Sequence, residues 1–88
     1  MSKDIQIKTD FEKACKDIKK ASELDNETLL ELYGLYKQAT EGDCNTDKPG
    51  FFDLKGHAKW TAWNDRKGID TLTAMRRYTR KVKSILEN

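Results

Sequence analysis

Apolar residues recur along this chain at three- and four-residue intervals, and nowhere alternate with polar ones over the length of a strand. Four such stretches predict four helices. The first is read from Thr9, because Thr9 and Glu12 have the spacing of a capping box. Phe11, Ala14, Cys15, Ile18 and Ala21 then form one stripe with lysines behind it. The second helix is capped by Asp25 or Asn26, runs to about Glu41 and stops at Gly42. On its wheel Leu32, Leu35 and Ala39 share a core sector. Leu29, Tyr33, Tyr36 and Thr40 occupy the neighbouring sector, with Lys37 at its edge. A third helix is expected over roughly residues 56–67, ending at Gly68, with Ala58, Trp60, Ala62 and Trp63 as its apolar surface. Lys55, Lys59 and Trp63 stack along it at i, i+4 and i+8. The fourth, from Asp70 or Thr71 to Leu86, sets Met75, Tyr78, Val82 and Ile85 against Arg76, Arg77, Arg80, Lys81 and Lys83.

The stretch GDCNTDKPG, residues 42–50, holds the only proline and is the one interior loop, long enough to cross over one end. The short links elsewhere favour antiparallel neighbours for helices one and two, and for three and four. The expected fold is all-α, a four-helix bundle, with residues 1–88 as one domain, because 88 residues leave no room for a second core. Charged residues make up 36% of the chain, as do hydrophobic ones, so the core is small under a heavily charged surface. The net charge is only +2, from 17 Lys+Arg against 15 Asp+Glu. That excess argues against nucleic-acid binding through bulk charge, so any phosphate must be held by locally placed lysines. The longest apolar runs are pairs, Leu29-Leu30 and Phe51-Phe52 among them, too short to span a bilayer. The first residues lack the apolar stretch of a secretory signal. A cytoplasmic protein with Cys15 and Cys44 as reduced thiols is expected, and two cysteines with one histidine make a poor metal set.

Catalytic chemistry finds no nominee. His57 is the only histidine and has no nucleophile or carboxylate beside it in a recognisable arrangement, and the glycines mark turns rather than a phosphate loop. The basic face of the fourth helix could meet nucleic acid or a protein partner. It is equally what a solvated amphipathic helix shows, and no aromatic interleaves it. The cluster on helix two is more specific: Tyr33, Tyr36 and Lys37 project from one turn. Spacing alone leaves two readings open, a pair of core tyrosines beside a solvated lysine, or a surface for a flat, anionic ligand.

The residues from Tyr33 to Gly68, YGLYKQATEGDCNTDKPGFFDLKGHAKWTAWNDRKG, resemble the signature of the acyl-CoA-binding protein family. The resemblance continues through AMRRYTRKV (74–82) and more weakly back into FEKACKDIK (11–19). It implies an up-down-down-up bundle that binds and transports long-chain acyl-CoA in the cytoplasm, maintaining a pool of it without catalysis. Carried over by position, Tyr36 is similar to the tyrosine that stacks on adenine. Lys37 and Lys59 match lysines on the 3′-phosphate, and Tyr33 adds a hydroxyl there. Lys55 matches a lysine near the phosphates, Tyr78 a fourth-helix tyrosine lining the site, and Lys19 a helix-one lysine near the ligand. Gly34 and Leu35 fall in the same binding turn, and Leu29 and Leu30 match acyl-chain contacts. The resemblance further implies a monomer with no cofactor, no metal and no nucleic acid, exchanging ligand with acyl-CoA-using enzymes. His57 stands where many members carry lysine, Cys44 replaces an aliphatic residue, and Thr73 sits where an Asp often precedes Ala-Met.

Such a ligand needs one site with two characters. Purine stacking contributes on the order of 1–3 kcal/mol. A long acyl chain offers roughly 10 kcal/mol gross at about 0.8 kcal/mol per methylene, before ordering costs. Affinity is therefore expected to rise steeply with chain length.

Overall fold

A computed structural model describes residues 2–87. Each helix begins where a side-chain oxygen takes up a free first-turn amide. Ser2 accepts from Ile5 N–H and opens α1 (Lys3–Asp17), and Asp25 accepts from Thr28 N–H at 2.8 Å and opens α2 (Asn26–Glu41). Asp53 accepts from Gly56 N–H at 2.9 Å at the head of α3 (Leu54–Asn64), and Asp70 caps α4 (Thr71–Leu86). A 3₁₀ turn, Ile18–Lys20, follows α1. No strand occurs among the described residues.

Two boundaries differ from the sequence reading. α1 starts at Lys3, six residues before Thr9, so Thr9 and Glu12 lie inside it. Its first turns bury little, with Ile5 exposed, and the apolar stripe begins only at Phe11. α3 starts two residues early, at Leu54, because Asp53 supplies the cap, and stops at Asn64 before a turn that ends at Gly68, φ 93°.

Chain directions follow from which residues meet. Lys81 pairs with Glu31 at 3.2 Å, Tyr78 meets Tyr36, and Gln38 Nε2 donates to the Ile69 carbonyl at 2.7 Å, so α2 and α4 are antiparallel. Leu29 and Leu30 flank Leu54 and Ala58, Gly34 lies against Ala62, and Trp63 Nε1 donates to the Gly42 carbonyl at 2.8 Å. α2 and α3 are therefore parallel. So are α1 and α4, because Ile7 and Asp10 share a cleft with Arg76 and Thr79, and Lys13 and Asp17 one with Val82 and Leu86. The result is an up-down-down-up four-helix bundle.

Neighbours differ from those expected. α4 packs on α1 and α2, and α3 packs on α2 alone. The α1 and α2 backbones do not lie against each other, although the Phe11 ring reaches Tyr36, and α3 does not pack on α4. The short links set opposite directions, but α1 and α4 each close on other faces. The 42–53 link runs back along the α2–α3 pair rather than over one end, as the parallel arrangement demands, and Trp60 Nε1 anchors it at the Thr46 carbonyl, 2.9 Å away.

The core joins Phe11 and Ala14 of α1, Leu32, Leu35 and Ala39 of α2, and Ala74, Tyr78 and Val82 of α4. Gly34 sets the α2–α3 distance: a Cβ there would stand 2.3 Å from the Ala62 carbonyl oxygen. Gln38, wholly buried, also donates to Asp43 Oδ1 at 2.8 Å, tying α2 to the start of the link. Both cysteines are free thiols, and burial raises the pKa of Cys15, keeping it protonated beside Tyr78.

Candidate functional site

The outer face of α2 carries Tyr36, 43% exposed, with one side supported from below. Its ring lies 6.0 Å from Phe11 and 6.2 Å from Tyr78, and those two rings meet edge to face at 5.1 Å. Tyr36 is therefore an open aromatic surface on a rigid footing. Beside it, α2 and α3 exchange cations. Lys59 of α3 holds its ammonium 5.5 Å from the Tyr33 ring centre, and Lys37 of α2 holds its own 4.7 Å from that of Trp63. Lys37 also hydrogen-bonds Glu41, and that carboxylate, outweighing partial desolvation, raises the lysine pKa and keeps it charged.

Toward the N-terminal ends of the same two helices lies an apolar groove of about 340 Å³, lined by Asn26, Leu29, Leu30, Leu54, Lys55, Ala58 and Lys59. Leu29 is 48% exposed and Leu54 78% exposed, so each offers apolar surface not used by the core. Lys59 belongs to both halves: its stem walls the groove while its ammonium covers Tyr33. One continuous surface thus offers a ring for stacking, ammonium groups for anions and a trough for hydrocarbon.

Of the residues singled out from sequence, Tyr33, Tyr36, Lys37, Lys55, Lys59, Leu29 and Leu30 come together here. Four do not. Leu35 is buried in the core, and Gly34 is buried against α3, where its part is to let two backbones approach. Tyr78 is buried beneath Tyr36 rather than lining an open site, and burial together with Cys15 pushes its phenol above the ordinary tyrosine range. Lys19 lies exposed on the 3₁₀ turn, which packs on α1 and α4, and lines no part of the groove.

Leu54, Ala58, Phe11 and Trp63 are site or support residues that the sequence reading did not assign. Leu54 was traceable: Asp53 is a good cap, and starting α3 there puts Leu54 and Ala58 one turn apart on one face. His57 lines a second cleft with Glu27, Asp65 and Arg66, which adjoins the groove through the shared Leu30 and Ala58. A larger hollow of about 650 Å³, on the far side of α2, is lined by Glu31, Asp65, Arg66, Arg77, Arg80 and Lys81 and offers no aromatic ring. Among the described residues no group of three His, Cys, Asp or Glu side chains could hold a metal ion, and no helix is long and apolar enough to cross a membrane.

The family model for acyl CoA binding protein matches residues 8–82. A chain from a Hypsibius species is 53% identical over 84 residues, 94% of each chain. The acyl-CoA-binding protein of Brassica napus is 49% identical over 82 residues, 92% of this chain and 89% of that one. The crystal structure of Oryza sativa acyl-CoA-binding protein 2 superposes with a TM-score of 0.89 at 43% identity, covering 92% of this chain and 91% of that one.

Proposed function

Because this chain belongs to the acyl-CoA-binding protein family, we propose that its open α2–α3 face is where the ligand lies, nucleotide on the tyrosines and tail in the groove. The protein binds acyl-CoA and carries it without chemical change; it is not an enzyme and needs no cofactor. In our reading Tyr36 stacks on the adenine, Lys37 and Lys59 hold the 3′-phosphate from two helices, and the Tyr33 hydroxyl joins them. Lys55 sits at the groove edge, where the phosphates give way to the tail, and Leu29, Leu30, Leu54 and Ala58 take the hydrocarbon. Tyr78 and Phe11 act by holding the Tyr36 ring, and Gly34 by seating the helices. The observation that carries this assignment is Lys59, common to the cationic cluster and the apolar groove. An amphiphile with a polyanionic head and a long apolar tail matches such a surface end to end.

The preferred cargo is a long-chain ester, carried by a cytoplasmic monomer that exchanges it with acyl-CoA-using enzymes. We expect Tyr36→Ala to weaken palmitoyl-CoA binding in calorimetry by about tenfold or more, some 1.4 kcal/mol. Removing the 3′-phosphate from the ligand should also weaken binding, and a titration with esters of increasing length should show affinity climbing with each methylene. Equal affinity for wild type and Tyr36→Ala would remove the stacking role.

A further inference from the structure

Among the described residues, the most exposed large apolar side chains are not in the groove. Phe51 and Phe52 form the tip of the 42–53 link, 84% and 92% exposed, their rings edge to face at 5.1 Å. Neither belongs to the core, to the Tyr33–Tyr36–Lys37 cluster or to the groove. Yet the tip stands directly at the groove, because Leu54, two residues on, is both exposed and part of the groove wall. We propose that this phenyl pair is a membrane-touching element that enters the interfacial layer of a lipid bilayer and brings the groove to the lipid surface from which the tail is taken or to which it is returned. The proposal rests on the ligand site assigned to the α2–α3 face and adds the source of that ligand.

Two observations favour a bilayer over a protein surface. The first is area. Two phenyl rings this exposed present roughly 300 Å² of apolar surface, the scale that marks an interaction site. That is well under the roughly 800 Å² that each side of a stable protein–protein interface or dimer contributes. A bilayer needs no such area or matching shape, because its interface deforms around a small apolar wedge. The second is continuity. The tip and the groove form one apolar path through Leu54, so a tail leaving a bilayer at the tip meets the groove without crossing open water.

The test compares wild type with Phe51→Ser/Phe52→Ser, a change confined to exposed side chains, and with Phe51→Leu/Phe52→Leu, which keeps apolar character. Ligand-free protein is floated with phosphatidylcholine vesicles with and without a minor fraction of phosphatidylserine, and transfer of palmitoyl-CoA from the same vesicles is timed. The serine variant should float about tenfold less and extract ligand correspondingly more slowly, with the leucine variant close to wild type. Affinity for octanoyl-CoA in vesicle-free solution should be the same in all three. Equal flotation and extraction by wild type and the serine variant would overturn the proposal. So would a dimer that requires the phenyl pair and forms without vesicles, since the tip would then belong to a second copy. Failure of wild type to bind octanoyl-CoA would count against the ligand site instead, while flotation of the ligand-free protein would still decide the role of the tip.

Discussion

The bundle contains two parallel helix pairs that are closed in different ways. α1 and α4 meet through large side chains: Phe11 meets Tyr78 edge to face at 5.1 Å, and Ala14 and Val82 are buried beside them. α2 and α3 meet through main chain, with Gly34 against the Ala62 carbonyl and the Trp63 indole on the Gly42 carbonyl. The first arrangement consumes its aromatic residues in the core. The second leaves Tyr33, Tyr36, Leu29 and Leu54 facing outward. The surface proposed for the ligand therefore lies where two backbones come close rather than where two sets of rings meet.

The sharpest way to break this contrast is to attack the side-chain-closed pair. We expect Phe11→Ala to lower stability by about 3–5 kcal/mol in urea denaturation, the range for deleting a buried aromatic ring. A loss under about 1 kcal/mol would mean that α1 and α4 are not held by their rings. In the other pair, Gly34→Leu adds volume where none is free, and about 2–3 kcal/mol should be lost. Because the helices must separate, acyl-CoA affinity should fall with it, even at temperatures where the variant stays folded. Wild-type affinity in a folded Gly34→Leu protein would refute the main-chain seating. The smallest effect is expected at Glu41, whose carboxylate hydrogen-bonds Lys37 and would compete with the phosphate proposed to bind there. Glu41→Gln should leave the melting temperature nearly unchanged, as exposed pairs contribute little, and tighten acyl-CoA binding about twofold, read by calorimetry.

The contrast also explains what could be read from the chain beforehand. α2 was legible at both ends because Asp25 and Gly42 act locally, one through a side-chain cap and the other through a φ of 80°. The start of α1 was not, because its first turns are stabilised by Ser2 and by the Gln6–Asp10 bond rather than by an apolar stripe. Helix neighbours do not follow from the sequence, because link length fixes direction but not which faces close, and the Gly34–Ala62 contact has no local signature. Family resemblance places Leu35, Gly34 and Tyr78 in the site by position, and position along a helix does not tell how deeply each residue is buried. Leu54 was missed for a single reason, the two-residue error in the start of α3.

The up-down-down-up order has a practical corollary. Ser2 and Leu86, near the outer ends of α1 and α4, lie toward opposite ends of that parallel helix pair, and the Leu86 end is the one shared by the heads of α2 and α3. A purification tag or fluorescent fusion attached after α4 would crowd the mouth of the trough, whereas one placed ahead of α1 would trail from the far pole. Assays of cargo pickup are best built on amino-terminal handles.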